Sequence, residues 1–148
     1  MNRNLEVRRD SLLISTDPTR LDIDAICGFL SRSYWAPARP RERVEASLQH
    51  SLVFGVYEGG KQVGLARIVT DYTTFAWLCD VFVDEAYRGK GIGKWLMSTI
   101  VEHPDLQGLK RFLLITDDAQ GLYSRYGFTP LAHPEGWMER FDPERSTS

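Results

Sequence analysis

Val83-Asp84-Glu85-Ala86-Tyr87-Arg88-Gly89-Lys90-Gly91-Ile92-Gly93-Lys94 joins a β-rich run to an amphipathic helix through a glycine-rich turn. The apolar run Trp77-Leu78-Cys79 and Val81-Phe82-Val83 precedes it, and Ile92, Leu96 and Ile100, with Met97 and Val101 offset, form one helical face until Pro104. A strand that turns directly into a helix leaves the first helical amides unpaired and aims the positive end of the helix dipole at one spot. Glycine lets a backbone approach an anion with no Cβ in the way, and Arg88 and Lys90 add positive charge. The pattern therefore points to a phosphate. Glycine in such a connection also serves simply to turn the chain, so the turn alone is weak evidence. Gly91-Ile92-Gly93-Lys94 lacks the spacing and the Ser/Thr of a Walker A loop, and the glycines do not fit G-x-G-x-x-G.

Working outward, Phe75 to Val83 reads as a strand after a turn at Asp71-Tyr72-Thr73-Thr74. Ser51 to Tyr57 and Gln62 to Thr70 read as a hairpin, because Gly59-Gly60 supplies the positive φ that a tight turn needs. Toward the N-terminus, Asp17-Pro18 is a helix-start signal before Leu21, Ala25, Ile26 and Phe29, and Arg41 to Leu48 is a short second helix. Ser33 to Pro37 is an aromatic loop between them. Toward the C-terminus come a strand at Arg111 to Ile115, a short helix carrying Ala119, Leu122, Tyr123 and Tyr126, and strands near Thr129 to Ala132 and Trp137 to Phe141. The expected order is ααβββαβαβ, an α+β fold in a single domain over residues 1–148.

The chain has 148 residues, enough to bury a substantial core, and carries 18 Lys+Arg against 20 Asp+Glu, a net charge of −2. No global positive field draws nucleic acid or an anionic membrane surface, and no apolar run approaches the roughly 20 residues of a membrane span. Cys27 and Cys79, the two cysteines, form neither a disulfide framework nor zinc-ligand spacing, so no metal is expected and a reducing cytoplasm fits.

Arg88-x-x-Gly91-x-Gly93 resembles the pyrophosphate-binding motif of the GNAT superfamily of N-acetyltransferases, and Leu122-Tyr123-Ser124-Arg125-Tyr126-Gly127-Phe128 resembles its Leu-Tyr-x-x-x-Gly-Phe signature. The two motifs lie in the family's order and span about Phe75 to Phe128. Glu85 stands where the family often has Pro, and Thr116 where it often has Asn. The resemblance implies a mixed, mostly antiparallel central sheet flanked by helices and splayed at the acetyl-CoA site. It places the CoA pyrophosphate on Arg88, Gly89, Lys90, Gly91, Ile92, Gly93 and Lys94, and the pantetheine arm along Val81, Phe82 and Val83. It implies direct transfer from acetyl-CoA to an amine in a ternary complex, with Tyr123 as general acid.

A phenol near pKa 10 is nearly matched to a departing CoA thiol, so Tyr123 suits that task, although Ala119, Leu122, Tyr123 and Tyr126 also read as an ordinary core stripe. Asp80 is polar in an otherwise apolar strand and must find a partner if buried. Relatives carry an acid at this distance from the phosphate motif, and Asp80 is the second catalytic candidate, as a base or as a clamp for the ammonium. The resemblance puts the acceptor near Tyr34, Trp35, Arg67, Asp71, Tyr72, His133 and Trp137, with Arg67 suited to a substrate carboxylate. A small-molecule amine or a peptide is the expected acceptor, with neither nucleic acid nor membrane as partner, and many relatives pair as homodimers. Two other readings are an acyl-CoA-binding sensor without turnover and a transferase acting on aminoacyl-tRNA.

Overall fold

The computed structural model describes residues 4–145. Four strands already expected come out at nearly the expected bounds: β3 (Leu52–Glu58), β4 (Lys61–Thr70), β5 (Phe75–Val83) and β6 (Arg111–Leu114). They are preceded by an N-terminal hairpin, β1 (Glu6–Arg9) and β2 (Leu12–Ser15), which the sequence reading missed. Each of those strands is only four residues long, too short for an alternation to stand out, and the turn rests on Asp10 at a φ of 55°. The helices are α1 (Ile23–Ser31), α2 (Arg41–Gln49), α3 (Ile92–Val101) and α4 (Gln120–Ser124).

Asp17-Pro18 begins a single 3-10 turn, Pro18–Arg20, rather than the first helix. The cap of α1 is Asp22, whose carboxylate accepts from the Ala25 amide at 3.1 Å. The Asp22 amide in turn donates to the Gln62 side chain on β4 at 2.8 Å, which fastens the start of α1 to the sheet. The two C-terminal strands expected near 129–132 and 137–141 do not form. Pro130 and Pro134 each remove a ladder donor, and residues 129–145 are exposed throughout, so no buried face pulls them into register.

The sheet runs β1-β2-β3-β4-β5-β6, antiparallel except for the parallel β5–β6 pair. One face packs Phe54, Val56, Val63, Ile68 and Leu78 against Ile92, Leu96, Met97 and Ile100 of α3. The other packs Val53, Leu65 and Phe82 against Ile26, Phe29 and Leu30 of α1 and Val44 and Leu48 of α2. Phe29 stacks on Phe82 with ring centroids 5.2 Å apart. Each such buried side chain contributes on the order of 2 kcal/mol.

Two irregularities shape the sheet near α3. β5 meets β6 only from Phe75 to Leu78, so beyond Leu78 the two strands part and the sheet opens. Between β4 and β5 the register passes from Leu65 opposite Phe82 to Arg67 opposite Cys79, so Ala66 faces both Asp80 and Val81. That is a β-bulge, and Asp80 takes a φ of 54° in it. On β3, Gly55 leaves room for a neighbouring ring: a Cβ there would overlap the Tyr57 hydroxyl and lie 2.7 Å from Cε1. Gly55→Ala is expected to cost roughly 1–3 kcal/mol by overpacking, with a lower melting temperature, and adding Tyr57→Leu should recover part of the loss. Equal melting temperatures for Gly55→Ala and the wild-type protein would show that the ring moves aside freely.

Candidate active site

The opened end of the sheet lies between the bulge on β5 and the last residue of β6, and three segments converge on it. The first is the glycine turn. Gly89 and Gly91 have φ of 81° and 79°, conformations that side chains with a Cβ rarely adopt, and Gly91 is the cap of α3. The first-turn amides of α3 have no intrahelical partners, so a run of N–H groups faces one point. A CoA pyrophosphate fits this cradle, since nothing beyond a glycine hydrogen stands in the way at Gly89 or Gly93. Lys90 holds its ammonium 5.2 Å from the Tyr87 ring. Arg88 is turned the other way: its Nε donates to the Val83 carbonyl at 2.9 Å and its guanidinium lies over the Phe82 ring.

Arg9 at the end of β1 is a cation beside this turn that sequence reasoning did not find. Its guanidinium lies 4.7 Å from the centre of the Trp95 ring, its Nη2 is 3.5 Å from the Lys90 carbonyl, and a Cβ on Gly91 would lie 3.7 Å from it. Glu58 brings it there. Its carboxylate accepts from Ser11 on the hairpin and from Tyr87 in the turn, each at 2.7 Å, which clamps the β1–β2 tip against the loop. Nothing local in the sequence marks Arg9, because the approach spans 81 residues.

The second segment is α4 with the residues before it. Thr116, standing where the family often has Asn, accepts from the Ala119 amide at 3.1 Å, so the threonine supports the start of α4. Glu85, the other departure, pairs with Arg32 at the end of α1 at 3.0 Å. Tyr123 is 9% exposed and meets Phe128 edge-on, with centroids 6.1 Å apart. Burial, helped by the charges of Tyr34 and Asp118, raises its phenol above the ordinary value. It is thus held protonated at neutral pH.

The third segment is the α1–α2 loop. Tyr34 accepts from the Asp117 amide just beyond β6 at 3.3 Å and meets Trp35 edge-on, so the loop bridges the opening. Trp35 donates from Nε1 to Asp80 Oδ1 at 2.8 Å, while Arg39 Nη1 and Arg67 Nε donate to Asp80 Oδ2 at 2.7 and 2.8 Å. Burial would raise the Asp80 carboxyl, but the hydrogen bond from Arg39 and the charges of Arg67 and Arg39 outweigh it and hold the group below the ordinary range. Arg67 also donates from Nη1 to the Ser51 hydroxyl at 3.2 Å.

Tyr34, Trp35, Arg67 and Asp80 are therefore joined at the opening, with Val81, Phe82 and Val83 along its β5 wall, while Tyr123 packs into the core on the α3 face with Tyr34 and Asp118 near it. The remaining acceptor candidates sit elsewhere. Asp71 is spent inside its own turn, accepting from Thr73, Thr74 and Phe75, and Tyr72 beside it lies at the far end of β5. Trp137 lies under the Arg111 guanidinium at the start of β6, and His133 is exposed and faces Glu135. Among the described residues no group of three or more His, Cys, Asp or Glu is arranged to hold a metal ion, and no helix is long and apolar enough to cross a membrane.

The sheet thus opens beyond Leu78, next to a glycine-capped helix and with the short helix α4 following β6. Residues 21–128 match the acetyltransferase (GNAT) family, and the chain belongs to that family of N-acetyltransferases, which draw acetyl groups from acetyl-CoA. The chain is 48% identical to a Xanthomonas campestris pv. campestris protein of the GNAT family, over 93% of this chain and 97% of that one, with a TM-score of 0.88. It is 34% identical to a candidate acetyltransferase of Gibberella zeae, covering 79% of this chain and 78% of that protein. It is 27% identical to the chloroplastic GCN5-related N-acetyltransferase 2 of Arabidopsis thaliana, over 92% of this chain but 60% of the relative.

Two outcomes are expected from this geometry. Arg9→Gln should weaken acetyl-CoA binding roughly 5- to 20-fold at low salt, with the difference shrinking as salt screens it; equal affinities by calorimetry at both salts would remove Arg9 from the cradle. Asp80→Asn should cost on the order of 3 kcal/mol at neutral pH, because two guanidiniums lose their carboxylate. Since the folded Asp80 titrates below its unfolded value of about 3.9, its stabilisation is full above that value and drains away as pH falls through the folded one. Acid unfolding curves of the two proteins should therefore converge at low pH, and a constant gap down to about pH 2 would contradict the assignment.

Proposed function

We propose that the protein transfers an acetyl group from acetyl-CoA to a primary amine of a small molecule or peptide by direct attack in a ternary complex. The observation that supports this reading is the opening between β5 and β6, which lies beyond Leu78 beside the β5 bulge and the glycine turn that starts α3, with Tyr123 on α4 after β6. Pantetheine amides would pair with the free edge of Val81, Phe82 and Val83, much as an added strand does. The bulge takes a backbone amide at Asp80-Val81 out of the regular ladder, where it can polarise a thioester carbonyl.

In this reading the amine lone pair attacks the acetyl carbon, the carbon–sulfur bond breaks, and the thiolate takes the proton of Tyr123. A phenol whose pKa is raised by burial stays protonated until sulfur demands the proton. Asp80 is a positioning residue. A carboxylate held low by Arg39 and Arg67 is a poor base for an ammonium, and the amine's proton leaves to water in the opening instead. A cytoplasmic setting and homodimer formation belong to the same proposal. The first rests on unpaired Cys27 and Cys79, and the second on the outer edge of β6, which has no strand neighbour among the described residues.

Tyr123→Phe keeps the ring and its contact with Phe128 but removes the proton. Its kcat is expected to fall roughly 100-fold with little change in the KM for acetyl-CoA, followed by thiol release. Native turnover in a natively stable variant would return Tyr123 to the core.

A further inference from the structure

The face of the sheet toward α1 and α2 is only partly covered. Those helices pack over Val53, Leu65 and Phe82, but the next rows toward β6 lie open. Register places Val69, Trp77 and Leu113 side by side across β4, β5 and β6 on that face. Trp77 is 39% exposed, and Ile115, two residues past Leu113, is 83% exposed. Arg67 and Cys79 form the adjacent row, so Arg67 and Trp77 are diagonal neighbours, roughly 7 Å apart. An apolar floor thus ends at a guanidinium.

Arg67 is held by Asp80 through Nε and by Ser51 through Nη1, and Nη2 takes no acceptor among the described residues. It shares Asp80 Oδ2 with Arg39, so one carboxylate oxygen serves two cations. The guanidinium, its side chain 11% exposed, thus keeps one nitrogen, Nη2, to donate to an oxyanion. Its position limits which anion. Arg67 bonds Asp80 directly, and in the transferase reading above the thioester lies at the Asp80 bulge, which sets an anchored carboxylate within a few ångströms of the attacking amine. An α-amino acid meets that spacing, whereas a polyamine offers no anion.

We propose, building on the transferase reading above, that the acceptor is a free α-amino acid with an apolar side chain. Arg67 holds its carboxylate and the Val69–Trp77–Leu113 floor takes the side chain. The neutral α-amine forms the bond to the acetyl carbon as the carbon–sulfur bond breaks, CoA leaves as the thiol with the proton of Tyr123, and the amine's surplus proton goes to water, which reprotonates the Tyr123 phenolate. The product is an N-acetyl amino acid and free CoA.

Thiol release from acetyl-CoA by the wild-type protein should be measured with phenylalanine, leucine and methionine, with their carboxamides, and with spermidine. The acids should exceed the carboxamides and spermidine in kcat/KM by roughly 10- to 100-fold, the usual range for a lost charge-assisted bond. Arg67→Met should raise the amino-acid KM by a similar factor with the acetyl-CoA KM unchanged, and Arg67→Lys should lose less. Calorimetry with N-acetylphenylalanine against its carboxamide gives the same comparison without turnover and without a variant that could misfold. Equal or better use of carboxamides or spermidine would overturn the amino-acid assignment and leave the transferase standing. Binding of acetyl-CoA with no thiol release for any of these amines, and no preference for the acid in calorimetry, would overturn both.

Discussion

A single buried carboxylate organises the catalytic end of this molecule. Asp80 sits 5% exposed in the bulge of β5, where isolation would be costly, and its two oxygens are satisfied by an indole and two guanidiniums from separate parts of the chain. Trp35 and Arg39 belong to the α1–α2 loop, and Arg67 to β4. The need to pair that one charge pulls the loop down over the opened sheet and sets Arg67 beside the gap. The same need gives the bulge its permanence, because a residue at a φ of 54° persists only where its surroundings hold it there.

Opening the sheet leaves polar backbone that the fold must answer. β5 and β6 stop pairing at Leu78 and Leu114, which leaves the β5 edge from Cys79 to Val83 without its neighbour. A free edge is a liability in most sheets, but here it borders the glycine cradle at the head of α3, and in the proposed reading its amides and carbonyls pair with an extended pantetheine arm. Tyr34 reaches across to the backbone beyond β6, and Thr116 supports α4, so both walls of the opening are fastened from outside it. The cradle is braced in the same way by Glu58, which joins the N-terminal hairpin to the turn through Ser11 and Tyr87.

Much of this was legible in the residues. The Gly59-Gly60 hairpin, the strand-turn-helix from Phe75 to Val101 and the placement of Tyr123 on a short helix are local patterns, decided by turn chemistry and apolar period. Thr116 and Glu85, where the chain departs from the family, became intelligible only from their partners, the Ala119 amide and Arg32. The expected strands after Phe128 do not form, because Pro130 and Pro134 remove ladder donors and the exposed residues 129–145 have no face to bury. The Asp17-Pro18 signal was sound chemistry at the wrong scale, since it caps one 3-10 turn before Asp22 begins the helix.

The sequence by itself determined the family and the glycine turn at the head of α3, and it singled out Tyr123 and Asp80, because each of these patterns rests on residues close together in the chain. Only the tertiary structure decided what those groups can do. Whether Asp80 is a base depends on Arg39, 41 residues away, and on Arg67 across the strand pair; whether Arg9 belongs to the cradle depends on a contact 81 residues long. Charges act through space with a reach of several ångströms, and the distance along the chain carries no trace of it.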